Sequence, residues 1–399
     1  KTPLDTLTTR LQISRDYVTP YFDRFIENYK HYLGHLIVPT GTTYPFSSQM
    51  VLPISYSVVE TILPRMMGKD PEFTASARNP EDRALEEIYR PMIHYWWTNP
   101  ALYQLGDPPY YKVFRALKEC FITGNAVLMS NWRKEKKNRN IYKPELKIAG
   151  LELGDPRILE VAKKFGIKPS WKTVKESYLA LDDPDVFYIP IWKFFPAPHY
   201  ETTGEMPWNI VEFDTNWEKL QREAEVNGYN LKELEEAIDK GGLKTPSRSK
   251  TNDYEAEFRE LFKSTDQKTK DTTISRLTKH EMWEDDRLVV TINENYVIYD
   301  SDNPLDVKRK PFHVIHDNPI PFEFYAWGEI DPIKRLEDGM TDMYNMRYDN
   351  IIQALLKQWL INPDLMIDEN EVTAPMPGGV IHVRDINAAA KQTEVTDVT

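Results

Sequence analysis

Cysteine is nearly missing from this 399-residue chain, with Cys120 alone. That excludes an intramolecular disulfide framework and fits synthesis in a reducing compartment. Long apolar runs are missing as well. No stretch approaches the roughly twenty apolar residues a bilayer requires, so no spanning segment and no membrane partner is expected. Positive charge is in deficit, with 50 Lys and Arg against 62 Asp and Glu and a formal net charge of -12. This argues against a protein that grips nucleic acid by neutralising phosphates, and leaves room for DNA that passes without being held. The common chemical motifs are absent too: no phosphate-cradling glycine loop, no dinucleotide fingerprint, no Gly-x-Ser-x-Gly elbow, no His-Glu-x-x-His helix. The eight histidines are scattered. His31 and His35 have a chelating i, i+4 spacing but no third ligand beside them. No catalytic residue, metal site or cofactor is expected, and the chain reads as a structural protein, not an enzyme. It opens at Lys1 without methionine, which leaves room for a preceding segment.

What is present is ample apolar material, 41% hydrophobic and 12% aromatic, enough for two or three domains with real cores. The first 38 residues read as largely helical, with a start at Thr19-Pro20, and Met50 to Leu63 as an apolar segment broken by Pro53 and Pro64. Asp70 to Arg78 reads as a short strand, and Asn79-Pro80-Glu81-Asp82 caps a helix carrying Ala84, Leu85, Ile88, Tyr89, Met92, Ile93 and Trp96. An amphipathic helix from Tyr111 to Phe121 turns at Gly124 into a strand ending near Trp132. The basic run 133–147 reads as a solvated hairpin or loop, because no aromatic alternates with its charges. A helical insertion is expected over 151–185, strands over Val186–Phe195 and Trp208–Phe213, and a helix from Trp217 capped by Asp214 or Thr215. Asn230 caps a second helix there, and the polar stretch 241–273 reads as a mobile surface excursion. Ile274–Trp283, Arg287–Ile292 and Tyr296–Tyr299 form a meander by spacing, Asp300 to Asn303 a turn, and Pro311–Ile315 one more strand.

The most organised stretch is the last third. From Asp331, an N-cap with Pro332 at the first helical position, a helical pattern runs unbroken to Asn362-Pro363. Some thirty residues at about 1.5 Å each make a rod of roughly 45 Å. Leu336, Met340, Tyr344, Tyr348, Ile352 and Trp359 lie on its apolar stripe, and Asp338, Asp342, Asn345, Asp349, Gln353 and Lys357 on its polar side. Such a helix suits a ring in which helices pack flank to flank and turn polar residues inward. The acidic bands so formed would repel phosphate and let DNA slide.

Val58-Val59-Glu60-Thr61-Ile62, Asp70-Pro71-Glu72-Phe73, the Asn79 cap, Phe121-Ile122-Thr123-Gly124-Asn125, the Trp217 to Ile238 helix pair and the meander ending in Asn318-Pro319-Ile320-Pro321 together resemble the wing of a portal protein. Portal proteins are the head-to-tail connectors of tailed double-stranded DNA bacteriophages. Gly328-Glu329-Ile330-Asp331-Pro332-Ile333-Lys334, followed by Asn345-x-Arg347-x-Asp349-Asn350, resembles that family's first stem helix. The resemblance implies an α+β portal fold: a mixed α/β wing over 1–325, a stem helix over 326–362 and part of a small α/β clip over 363–399. It implies a ring, usually of twelve subunits, at the capsid vertex of the virion, assembled in the host cytoplasm. It further implies double-stranded DNA in the channel, with the major capsid protein, the terminase large subunit and head-tail adaptor or tail proteins as partners. Asp338, Asp342, Asn345, Asp349, Gln353 and Lys357 become channel-lining candidates, and Leu336, Met340, Tyr344, Tyr348, Ile352 and Trp359 subunit-packing candidates. The family's second stem helix, tunnel loop and crown are not evident in these residues. Two alternatives stand beside this reading. A carbohydrate-active enzyme would account for ten Trp and twenty-two Tyr among many carboxylates, and another virion adaptor would share the setting without the long capped helix.

Overall fold

A computed structural model describes residues 2–38, 43–68, 73–77, 79–98, 108–148, 151–153, 170–239, 257, 261, 277–305 and 308–355. The chain is α+β and divides into two compact units. The first holds Lys1–His35 and Pro53–Lys334; the second holds Leu36–Leu52 and Arg335–Thr399.

The first unit opens with helix α1, Pro3–Leu33. Thr2 and Asp5 form a capping box, Pro3 occupies the first turn, and Gly34 closes the helix in the left-handed region at φ 71. Pro20, expected to start a helix, sits inside this one. An internal proline costs about 3 kcal/mol, whereas each large apolar side chain fully buried contributes about 1.5–3 kcal/mol. Leu7, Leu11, Val18, Phe22 and Phe25 are all buried along α1, so packing outweighs the break. Thr19 Oγ1 donates to the Arg15 carbonyl at 2.8 Å in the same turn.

Helix α2 spans Ile54–Met67, with Pro53 at its cap and Pro64 tolerated inside. Phe73 to Ala77, expected as strand, form no regular element. A single 3-10 turn at Pro80–Asp82 then leads into α3, Arg83–Thr98, as the capping signal implied. Its apolar residues do not face a core, however: α3 contains no buried residue.

Helix α4, Pro109–Thr123, ends at Gly124 with φ 90 and feeds strand β1, Asn125–Ile148. The expected stop near Trp132 is absent. β1 continues through the basic run, turns back on a short β2, Leu151–Leu153, and pairs with β3, Ser170–Ile189. The antiparallel register runs from Val127 opposite Ile189 to Glu145 opposite Ser170, with a bulge between Glu135 and Lys136. Residues 170–185, expected in a helical insertion, are therefore strand, and 154–169 lie outside the described residues. Several opposite charges face each other across the ladder. Arg133 faces Asp183, Lys134 faces Asp182, and Arg139 pairs with Glu176 at 3.2 Å. Opposite charges across a strand pair contribute about 0.2–1 kcal/mol each, so basic residues that look like a loop in isolation are half of a ladder.

The second sheet is the three-strand meander extended by two further strands: β4 (Phe194–Pro196), β5 (Asn209–Thr215), β6 (Leu277–Trp283), β7 (Arg287–Ile292) and β8 (Tyr296–Asp302), antiparallel in that order. Between β5 and β6 stand α5, Trp217–Asn227, and α6, Lys232–Asp239. The α5 cap is Asn216, whose side chain accepts from the Lys219 amide at 2.8 Å, one residue beyond the expected Asp214 or Thr215. The excursion 241–273 lies outside the described residues except at 257 and 261. Asp300, expected in a turn, is in β8 and pairs with Arg287 at 2.7 Å. β9, Phe312–His316, returns to the first sheet on the Asn125–Met129 segment of β1.

α1 packs its apolar face over both sheets, and the core includes Phe194, Phe195, Trp283, Phe312, Phe324 and Tyr325. One charged cluster is buried there. Arg15 of α1 lies 2.8 Å from Glu294 and 3.8 Å from Glu212, and His280 Nε2 lies 3.3 Å from Glu212. Such a cluster is costly to desolvate and fixes the register of α1 against the sheet through directional contacts. Among the described residues no helix is long and apolar enough to cross a membrane.

Candidate functional site

The last described element is α7, Ile330–Leu355, which leads from the first unit into the second. Residues 356–362 of the expected stem and the whole expected clip, 363–399, lie outside the described residues. Its start is locked by the motif that precedes it. Gly328 has no room for a side chain, since a Cβ there would lie 2.7 Å from the Phe121 carbonyl oxygen and 2.8 Å from that of Ile122. Glu329 donates its amide to Phe121 O at 2.9 Å, and Asp331 Oδ2 accepts from the Gly328 amide at 2.9 Å. Asp331 thus caps the turn before the helix while lying within its first turn. Lys334 closes the lock by bonding Glu27 and, at 3.2 Å, Asn28 of α1, and Asn28 donates to Ile122 O at 2.9 Å. The Gly-x-x-Asp-Pro-x-Lys spacing is a fastening of α7 to the α4–β1 turn and to α1.

In the second unit an extended strap, 44–52, runs along one side of α7. Leu52 N–H donates to Thr341 Oγ1 at 3.4 Å. Asn345 pairs with both backbone groups of Met50, accepting its N–H at 3.0 Å and donating to its carbonyl at 2.9 Å. Ser47 and Ser48 donate their amides to Asp349 at 2.7 and 3.0 Å, and the Ser48 hydroxyl adds a third bond. Tyr44 donates to Asp342 at 3.0 Å and accepts from Asn345 at 2.7 Å. The register has a geometric cause. Four helical residues rise about 6 Å, and two extended residues advance about 6.7 Å. Helix positions 341, 345 and 349 therefore meet strap positions 52, 50 and 48 in antiparallel order. The strap has no sheet partner among the described residues, and these helix side chains take the place of one for its backbone groups.

With this in view the expected site residues separate onto two sides of α7. Thr341 and Asn345 are buried and Asp349 is half-buried on the strap side. Asp338 and Asp342 share that angular range of the helix but are exposed, Asp342 while holding Tyr44. Leu336, Met340, Tyr344 and Tyr348 are exposed, as are Met343 and Ile351. Met343 is 68% and Leu336 64% exposed, so the apolar stripe faces outward. Tyr344 and Tyr348 stack on each other with ring centroids 6.5 Å apart. Ile352 is half-buried. The Gln353 side chain, Lys357 and Trp359 lie outside the described residues. Sequence reasoning missed Thr341 and the strap. The available signal was Thr341, Asn345 and Asp349 at four-residue steps, short polar groups suited to reading a backbone.

Ser48 and the Ser47 and Ser48 amides hold the Asp349 carboxyl below its ordinary value. Two other carboxyls are displaced upward in the first unit. Burial pushes Glu119 up to about 8 against bonds from the Ile191 amide and the Tyr188 side chain, and burial with the nearby Glu329 charge pushes Asp317 up to about 7. A raised carboxyl is what a general acid requires. Glu119, only 2% exposed, is enclosed within the core beside Tyr29 and Tyr188 and meets no substrate surface. Among the described residues no group of three or more His, Cys, Asp or Glu is placed to hold a metal ion. The chain matches no protein-family model and no curated protein sequence.

Proposed function

We propose that this chain is the subunit of a portal-type connector, a ring at a capsid vertex through which double-stranded DNA is packaged and ejected. One observation carries the reading: α7 is fastened at its start, its polar stripe is held by the chain's own strap, and its apolar stripe is exposed. A helix made in this way needs a flank partner, and the same helix in a neighbouring copy supplies one around a closed ring. Leu336, Met340, Met343 and Ile351 are roughly half exposed, so covering each contributes about 1 kcal/mol. In this reading the first unit is the wing and α7 the stem. Asp338 and Asp342, both exposed, turn acidic bands toward DNA, Asp342 while also accepting from Tyr44 of the strap, and Asn345 and Asp349 hold the strap. The capsid protein, the terminase large subunit and the tail adaptors dock on the assembled ring. It performs no catalysis.

Negative-stain imaging and mass photometry of the purified chain test this directly. The expected result is a closed ring, about twelvefold, with a central hole, lost when Met343 and Ile351 are both changed to Asp. A wild-type chain that stays monomeric at micromolar concentration across a range of salt overturns the reading. Asp338→Lys with Asp342→Lys is expected to leave the ring intact and make it retain DNA, with release on added salt.

A further inference from the structure

We propose that Asp317 and Glu329 form a pH-sensitive latch at the start of α7, closed while one of the two carboxyls keeps a proton and loosened once both are ionised. The latch lies within the first unit and stands apart from the connector reading. Its basis is where the backbone puts the two residues. Asp317 follows β9, and its amide donates to Gly124 O at 3.0 Å, which pins it to the α4–β1 turn. The next residue, Asn318, exchanges backbone bonds with Trp327 at 3.1 and 3.0 Å, so the segment after β9 lies against the segment that leads into α7. Glu329 returns to the same turn through its amide, which donates to Phe121 O at 2.9 Å. The knot is tight: a Cβ at Gly124 would lie 2.4 Å from Ala326 O. Two half-buried carboxyls are thus held near each other by backbone that leaves them little room to part.

No counter-charge meets the pair. Among the described residues neither carboxyl has an ion-pair partner, and Asp317 Oδ2 is buried with no hydrogen-bond partner. α4 faces Asp317 with the Cys120 thiol, which burial keeps neutral. β9 contributes His316, whose neutral form burial favours and whose Nδ1 lies 2.9 Å from Asn125 Oδ1. The cations of the adjoining helices are engaged elsewhere. Arg24 of α1 donates to Ala326 O at 2.8 Å, and Lys334 of α7 bonds Glu27 and Asn28 and lies 3.4 Å from Asp331. A half-buried carboxyl beside a like charge and without a cation resists ionisation, and Asp317 is accordingly raised to about 7, first by burial and then by Glu329. Opening the knot hydrates the group and returns it toward about 4. The closed form therefore keeps a proton that the open form releases, so opening becomes easier as pH rises from about 4 to about 7 and changes little above that range.

Hydrogen exchange of the full chain from pH 5 to pH 8, read by mass spectrometry and divided by the intrinsic exchange rate at each pH, tests the latch. Protection of peptides within 317–330 is expected to fall by about tenfold or more between pH 5 and pH 7 and to level off by pH 8, one proton permitting at most about tenfold per pH unit. Strands β6 and β7 report global opening and are expected to change less. Asp317→Asn keeps the shape and removes the charge, so its protection is expected to stay near the wild-type pH 5 level throughout. Glu329→Gln leaves Asp317 in place with burial alone to raise it, and is expected to shrink the fall. Wild-type protection at 317–330 that does not change with pH overturns the proposal. So does a fall no larger than in β6 and β7, or one that persists undiminished in either variant.

Discussion

Replacing Asn345 with Ala isolates the strap ladder. The side chain is fully buried and makes three hydrogen bonds, two to the Met50 backbone and one to Tyr44, all between 2.7 and 3.0 Å. Each such bond contributes about 1 kcal/mol net, so the loss amounts to about 3 kcal/mol, on the order of 100-fold in the equilibrium for lifting the strap. Alanine offers no donor or acceptor, and the freed Met50 amide must find water. Native-state hydrogen exchange reads this locally. Exchange at Met50 is expected to accelerate by on the order of 100-fold, with a smaller acceleration at Ser48 and Leu52, whose partners Asp349 and Thr341 remain. Met346→Ala is the control, because Met346 is adjacent in sequence but exposed on another side of α7. Unchanged exchange at Met50 in Asn345→Ala would refute the ladder and leave the burial of Asn345 without its cause.

Asp349 is held below its ordinary value chiefly by Ser48, so the folded chain favours its ionised form. Its contribution is complete above the unfolded value of about 4 and is lost as pH falls through the lowered value. Exchange at the Ser48 amide should therefore rise on acidification from the wild-type level, and Asp349→Asn should flatten that dependence; parallel profiles for the two proteins would contradict it. Glu119 has the opposite sign. Its raised value, about 8, means the folded state keeps a proton that the unfolded chain releases near pH 4.5, so stability falls as pH rises between those values. Denaturant midpoints at pH 5 and pH 8 should converge in Glu119→Gln, and an undiminished difference would sink the assignment. Gly328→Ala forces a Cβ to within 2.7 Å of backbone oxygen and is expected to cost about 2 kcal/mol or more. Gly34→Ala, where nothing lies within 4 Å, should cost only about 1 kcal/mol for its backbone angle; equal losses in thermal melts would refute the close-approach argument.

Local signals carried much of this fold. The Asn79-Pro80 start before α3, the α4–Gly124–β1 turn and the three-strand meander are written in short-range patterns, because caps, turns and alternation act over only a few residues. The long β ribbon was not legible. The basic residues of β1 look like solvated loop alone and the acidic residues of β3 like part of a helical insertion, and only their register across a long separation makes them a ladder. Pro20 and Pro64 read as breaks and lie inside helices, because proline's cost is fixed while the burial that offsets it depends on what packs alongside.

The same division runs through α7. Its sequence by itself determined a helix starting near Asp331-Pro332 with one apolar and one polar side, since periodicity and capping are properties of consecutive residues. Only the tertiary structure decided what each side meets. Residues three hundred positions earlier lie on the polar side, as Ser47 and Ser48 do on Asp349, and the apolar side is left outward. The reason is physical. An extended segment without a sheet must still satisfy its backbone, and side chains at four-residue steps match its two-residue repeat closely enough to do so. Periodicity shows that two sides differ, and the cover on each is set by chain that arrives from elsewhere.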